Sequence, residues 1–177
     1  MLQSLFSKST LLMLAIVISA NLISCAQTPA KDANNGYKAE QEGWLVNLDE
    51  AYALSKKTNK PIMANFTGSD WCGWCKRLSA AVFVKDDFKA WAKKNVILLE
   101  LDFPRGKAIP DAIRTQNANL QQAFQVSGYP TIWVFDLEKD KKTNQYQINA
   151  LGKTGYTATV QEFTSGVDQM IAKRAAK

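Results

Sequence analysis

Residues 69–76 read Ser-Asp-Trp-Cys-Gly-Trp-Cys-Lys, with two cysteines separated by two residues. The preceding residues 61–66, PIMANF, form an apolar run typical of a short buried strand, and residues 72–84 have the spacing of a helix. Two cysteines three positions apart in the first turn of a helix lie about 5–6 Å apart at Cβ, close enough to form a disulfide with little backbone motion. The stretch therefore predicts a redox-active cysteine pair where a strand leads into a helix.

The two cysteines have different expected roles. Cys72 lies at the start of the helix, where backbone N–H groups lack partners and the helix dipole is positive, and both effects favour a thiolate over a thiol. Lys76 and Arg77 add positive charge nearby. Cys75 lies further into the helix and is expected to be shielded. We therefore expect Cys72 to attack a substrate disulfide and Cys75 to resolve the mixed disulfide that forms.

The composition excludes several other chemistries. The 177 residues include three cysteines and no histidine, which removes Cys-His and Ser-His catalysis and leaves a zinc site short of its usual ligands. The net charge of +6 comes from lysines and arginines spread singly or in pairs, so we expect no nucleic-acid partner. No glycine-rich nucleotide fingerprint is present, and we expect neither a cofactor nor a metal. Electrons must then come from another protein or a small thiol.

The N-terminal stretch predicts export. Residues 11–18 are strongly apolar and Lys8 is the only charged side chain before residue 31, a layout typical of a secretory signal. Residues 22–25, Leu-Ile-Ser-Cys, resemble a bacterial lipobox, which implies cleavage before Cys25 and a lipid on its sulfur. An uncleaved anchor helix over residues 9–30 is the alternative, since that length just spans a bilayer of about 30 Å. Both interpretations place the remainder outside the cytoplasm.

The domain organisation follows from these boundaries. We expect a signal peptide at 1–24, a lipidated flexible tether at 25–42 and one folded domain at 43–177. Within the domain, residues 96–102 (VILLELD) suit a central strand buried on both faces, and residues 103–118 are expected to be an insertion. The remaining periodicity predicts helices at 48–57, 86–94 and 119–126, strands at 131–135 and 146–151, and a last helix capped by Thr159 and Glu162.

The stretch SDWCGWCK, followed about 55 residues later by VSGYPT at residues 126–131, resembles the thioredoxin superfamily and its bacterial envelope members with a GSDWCGWC-type site. The resemblance implies an α/β thioredoxin fold, with a central mixed β-sheet flanked by α-helices. It also implies that Pro130 follows a cis peptide bond and lies against the cysteines. The substrate-binding residues that it implies are Trp71, Gly73, Trp74, Tyr129 and Pro130.

Two positions depart from the family pattern. Trp74, between the cysteines, is unusual, and we expect it to be exposed and to bind polypeptide. The buried aspartate that usually serves the second cysteine as a base is matched by Asn65, whose amide cannot accept a proton at neutral pH. Asp70, Glu100 or water must then take the proton of Cys75. Asp70 is otherwise explained as a turn residue.

The function expected from these features is that of a membrane-tethered thiol–disulfide oxidoreductase of the bacterial cell envelope. Reduction or isomerisation is favoured over net oxidation. Its partners would be disulfide-bearing envelope proteins, an electron-donating protein or small thiol, and the membrane through the lipid on Cys25. A non-enzymatic peptide-binding or chaperone module on the same scaffold is the first alternative. Thiol-dependent delivery of a soft metal such as Cu(I) is the second.

Overall fold

The computed structural model describes residues 34–175. The predicted signal peptide, the lipidation site Cys25 and the first part of the tether lie outside the described residues. The described part contains five α-helices, a π-helical segment and four strands. In chain order these are α1 Leu48–Thr58, β1 Ile62–Thr67, α2 Gly73–Leu78, the π-helical segment Ser79–Phe83, α3 Asp86–Asn95, β2 Ile97–Asp102, α4 Asp111–Ala123, β3 Thr131–Lys139, β4 Tyr146–Thr154 and α5 Val160–Ala175.

The four strands form one mixed sheet in the order β2-β1-β3-β4. β1 pairs with β2 in parallel and with β3 antiparallel, and β3 and β4 form a long antiparallel hairpin. The expected α/β fold with a central mixed sheet is confirmed. The prediction that residues 96–102 form a central strand is wrong, because β2 lies at the end of the sheet. Its outer edge is covered instead by Leu45, whose backbone bonds to Leu98 and Glu100 at 2.9 and 2.8 Å.

Helices cover both faces of the sheet. Alternate residues of β1 point to opposite faces, with Ile62, Ala64 and Phe66 on one side and Met63 on the other. The first side packs against α1 and α4, and the second against α2, α3 and α5. The second side holds an aromatic cluster whose members are Trp44, Phe83, Phe88 and Phe163. Every residue of β1 is buried, so the strand that leads to the cysteines is fixed on both faces.

Side-chain hydrogen bonds cap the first turns of two helices. Asn47 caps α1 by accepting the Glu50 N–H at 3.0 Å. The predicted capping of the last helix is confirmed, since the Glu162 N–H donates to Thr159 Oγ1 at 3.2 Å. The predicted insertion and short helix were wrong in detail: one helix, α4, runs from Asp111 to Ala123. The apolar repeat of α4 is interrupted on its buried face by Asn117. This polar side chain is buried and donates a hydrogen bond to the Asp102 carbonyl at 3.0 Å.

Residues 34–42 lie against the domain. These residues were expected to belong to the flexible tether. The Glu40 N–H donates to Glu100 Oε1 at 3.0 Å, and the Gln41 amide donates to Ser79 Oγ at 2.5 Å. Ala39 packs on the core. Between residues 34 and 175, no helix combines the length and apolar character needed to cross a membrane.

Candidate active site

Cys72 and Cys75 form a disulfide at the start of α2, with their Cα atoms 5.2 Å apart. Cys72 is the N-cap residue of the helix, in extended conformation, and its Sγ accepts the Cys75 N–H at 3.1 Å. Each cysteine exposes 6% of its surface. When the pair is reduced, that N–H and the helix dipole favour a thiolate on Cys72. The geometry therefore suits Cys72 as the attacking sulfur.

The loop before the cysteines is held by Trp71. Its indole N–H donates to the Phe103 carbonyl at 2.8 Å, and its ring meets the edge of Tyr129 at 5.8 Å between centroids. A Cβ on Gly68 would overlap this indole, so the close approach requires glycine there. Trp71 still exposes 37% of its surface. It is thus both a packing residue under the loop and part of the surface beside Cys72.

Trp74 is the most exposed large hydrophobic side chain among residues 34–175, at 53%. The expectation that it is exposed is confirmed. Its ring meets Tyr156 edge-on with centroids 5.0 Å apart, and the Arg77 guanidinium lies 4.6 Å from its ring centroid. Tyr156 follows β4 and is itself exposed. Tyr156 was not among the predicted site residues, because no local motif links residue 156 to the cysteines.

The Tyr129–Pro130 peptide bond is cis, as the resemblance implied. Tyr129 packs against Phe103 and Trp71, and its hydroxyl accepts a hydrogen bond from the Gln121 amide at 2.7 Å. Gly73, the first residue of α2, has open space where a side chain would be. The structure thus joins Trp71 and Tyr129 by direct contact, and it places Trp74 within the helix turn between the two cysteines.

A cavity of about 450 Å³ lies behind Cys75. Asn65 and Glu100, which are paired across β1 and β2, both line it. The Asn65 Oδ1 is buried and has no hydrogen-bond partner among the described residues. Glu100 is only 4% exposed, and burial raises its pKa to about 7, although the hydrogen bond from the Glu40 N–H works against the increase. Cys75 and the Glu100 carboxyl, whose pKa burial raises to about 7, therefore line the same partly open cavity.

Asp70 has a different role. Its carboxylate accepts the backbone N–H groups of Arg105 and Gly106, which ties the loop after β2 to the loop before the cysteines. The hydrogen bond from the Gly106 N–H holds the pKa of Asp70 below its ordinary value. Asp70 is exposed and does not line the cavity behind Cys75. Of Asp70 and Glu100, the two carboxylates that the sequence offered as bases, Glu100 alone lines the cavity that Cys75 also lines.

Comparison with known proteins identifies the family of the chain. A family model described as a thioredoxin-like domain matches residues 48–147. The disulfide bond reductase DsbH of Chlamydia pneumoniae is 36% identical over 89 residues, which cover 50% of this chain and 54% of that protein. The thiol:disulfide interchange protein DsbD of Vibrio vulnificus is 35% identical over 100 residues, covering 56% of this chain and 15% of that protein. The chain thus spans about half the length of the first relative and a small part of the second.

Solved structures agree on the fold. A DsbH oxidoreductase structure has a TM-score of 0.62 and 28% sequence identity, covering 73% of this chain and 83% of its own. A thioredoxin from Thermus thermophilus, at 16% identity, has a TM-score of 0.51 and supports the fold alone. The family match runs from α1 into β4 and contains both cysteines and the cis Tyr129–Pro130 bond. The chain belongs to the thioredoxin-like family.

Proposed function

We propose that the chain is a thiol–disulfide oxidoreductase that reduces or isomerises disulfides of partner proteins. The observation that carries this proposal is the Cys72–Cys75 pair at the start of α2, with Cys75 bordering the cavity that contains Glu100. A reducing direction is supported by the relative named disulfide bond reductase. The relative named thiol:disulfide interchange protein supports thiol–disulfide exchange as the reaction.

The reaction begins with Cys72. Its thiolate attacks one sulfur of the substrate disulfide, a mixed disulfide forms, and the released substrate thiolate takes a proton from solvent. Cys75 then gives up its proton and attacks Cys72 Sγ, which releases the second substrate thiol. The substrate gains two electrons and two protons, and the enzyme is left with the Cys72–Cys75 disulfide. A donor dithiol, or two molecules of a small thiol, then reduces the Cys72–Cys75 disulfide through a second mixed disulfide, which restores the dithiol and leaves the donor oxidised to a disulfide.

Glu100 takes the proton of Cys75 in this scheme. A base works best when its pKa lies near the working pH, and burial places that of Glu100 at about 7. Asn65 contributes an unsatisfied amide oxygen to the same cavity, which is suited to hold a water molecule between the carboxylate and the thiol. Asp70 is a poorer base, because its lowered pKa reflects a carboxylate already stabilised by backbone N–H groups.

A direct experiment separates the two cysteines. The reduced chain is mixed with a disulfide-bonded peptide, and products are resolved without reductant. Cys75→Ser should accumulate a mixed disulfide between Cys72 and the peptide, whereas Cys72→Ser should give none. A mixed disulfide through Cys75 in the Cys72→Ser variant, at the native rate, would contradict the assigned order of attack.

The location of the protein is part of the proposal. The lipobox-like residues 22–25 support a lipid on Cys25 and a signal peptide at 1–24. The remaining tether would tie the domain that follows it to a membrane of the bacterial envelope. Labelling cells with radioactive palmitate tests this, since the label should enter the native chain and be absent from Cys25→Ala. Equal labelling of both would refute lipidation at Cys25.

A peptide-binding module without redox activity is the second candidate. The exposed rings of Trp71, Trp74 and Tyr156 favour it, because exposed aromatic side chains bind polypeptide. Cys72→Ser distinguishes the two functions. A binding module keeps its full effect on unfolded polypeptide in this variant, whereas an oxidoreductase loses turnover of disulfide substrates.

A further inference from the structure

The four arginines among residues 34–175 fall into two groups. Arg114 and Arg174 bond to carboxylates, those of Asp111 and Asp136. Arg77 and Arg105 have no carboxylate partner among the described residues. Instead, the Arg105 guanidinium lies 3.8 Å from the ring centroid of Trp71, and the Arg77 guanidinium lies 4.6 Å from that of Trp74. The arginines without an ion pair are thus the ones stacked on the tryptophans of the cysteine motif.

A guanidinium group that is stacked on an aromatic ring can still donate hydrogen bonds to an anion. The group is planar, and when one face lies on an aromatic ring its N–H groups still point outward along the edges. Those edges match a carboxylate, which they bind through two parallel hydrogen bonds. The ring also reduces side-chain motion, so less entropy is lost when an anion binds. The two tryptophan–arginine pairs, Trp71–Arg105 and Trp74–Arg77, are therefore preformed anion receptors on a surface that also exposes apolar rings.

The carboxylates near the two pairs form no ion pair with Arg77 or Arg105 among the described residues. The Asp70 carboxylate accepts the backbone N–H groups of Arg105 and Gly106. Glu100 and Asp102 are 4% and 1% exposed. Lys76 adds a third cation, and its ammonium group bonds to the Asp70 carbonyl oxygen rather than to a carboxylate. A partner docking at the cysteines therefore meets three cations, Lys76, Arg77 and Arg105, that have no carboxylate partner among the described residues.

We propose that the two tryptophan–arginine pairs select substrates whose reactive cysteine is flanked by aspartate or glutamate. This inference rests on the proposed function and names its substrate class. The occupant is an extended acidic segment of a partner protein. Its carboxylates bind Arg77 and Arg105 while its cysteine meets Cys72 between them. The same field that favours the Cys72 thiolate then also recruits the substrate.

Three matched peptides test the proposal. Each has the same disulfide, flanked by glutamates, glutamines or lysines. The reduced full chain should reduce the glutamate peptide about tenfold faster than the glutamine peptide in kcat/KM, because two exposed ion pairs each contribute a few-fold. The lysine peptide should be the slowest. The preference should largely disappear in Arg77→Gln/Arg105→Gln and at high salt.

The matched control removes the same amount of charge elsewhere. Lys141→Gln/Lys142→Gln changes two exposed lysines in the turn between β3 and β4 and should keep the native preference. The ratio between peptides is the quantity compared, because it cancels any general change in Cys72 reactivity. Equal rates for the three peptides with the native chain would overturn the proposal while leaving the proposed function intact.

A binding measurement distinguishes the proposed docking surface from the proposed oxidoreductase function. Peptides with serine in place of cysteine are titrated against the oxidised chain by tryptophan fluorescence. Selective, arginine-dependent binding of the glutamate serine-peptide, together with no reduction of any of the three disulfide peptides, would support the docking surface and refute the oxidoreductase. Arginine-dependent binding to phosphatidylglycerol vesicles, with no preference among peptides, would overturn the proposal in favour of a lipid surface.

Discussion

Glu100 lies directly opposite Asn65 in the parallel pairing of β1 and β2, and both line the cavity behind Cys75. Residues opposite each other in neighbouring strands point to the same face of a sheet. The Glu100 carboxyl on β2 therefore lies on the same face as Asn65, which is the β1 position matched to the family's usual buried aspartate. Asn65 keeps a polar atom in the cavity without adding a second buried negative charge.

Glu100→Gln tests the assignment of the proton acceptor. The amide still accepts the Glu40 N–H but cannot take a proton, so resolution of the mixed disulfide by Cys75 should slow at least about tenfold near pH 7. In the native chain this step should accelerate as the pH rises through about 7, the pKa of Glu100. In the variant it should instead follow ionisation of Cys75 itself. Single-turnover tryptophan fluorescence measures the step.

Asp70→Asn is the matched control for that experiment. It removes the other carboxylate considered for this role and should leave the pH dependence of resolution in place. If Asp70→Asn abolished the dependence and Glu100→Gln preserved it, the two assignments would have to be exchanged.

The same carboxyl group predicts how stability depends on pH. The pKa of Glu100 is raised from 4.5 to about 7 by burial, so the native state holds this proton more tightly than the unfolded chain. Its contribution is fully present below pH 4.5 and is lost as the pH rises through about 7. From about pH 5 to about pH 8 the native chain should lose on the order of 2 kcal/mol relative to Glu100→Gln. Urea unfolding of both proteins across this range measures the difference.

Much of the site could be predicted from local sequence. The cysteine spacing and the apolar strand before it are short-range features of the sequence. The predicted strand and the cysteine pair at the start of the next helix are both confirmed. The position of β2 at the edge was not predictable in this way, because continuous apolar runs occur wherever both faces are covered. The choice between Asp70 and Glu100 depended on strand register and on the loop that holds Asp70. Arg105 and Tyr156 contact the site from loops that are distant in sequence, and no local sequence pattern predicts such contacts.

Gly68→Ala tests the packing of the loop before the cysteines. A Cβ at this position overlaps the Trp71 indole, so the ring must move and its hydrogen bond to Phe103 must weaken. We expect a loss of about 1–3 kcal/mol in the free energy of unfolding, the usual cost of overpacking. Trp71 fluorescence should shift in the same variant.

Gly73→Ala provides the comparison. No atom lies within 4 Å of a Cβ there, and the residue begins α2. Alanine is the better helix former, so this variant should gain a few tenths of a kcal/mol to about 1 kcal/mol. Equal destabilisation by both substitutions would show that the overlap with Trp71 is not the cause.

The reduction potential of the Cys72–Cys75 pair determines whether the protein reduces disulfides or donates them. The full chain is equilibrated in glutathione buffers of known ratio, and the fraction of disulfide is measured after acid trapping. We expect a reduction potential near that of thioredoxin, about −270 mV, which suits a protein that reduces disulfides. A value near about −120 mV would mean that the protein donates disulfides, and would contradict the direction proposed here.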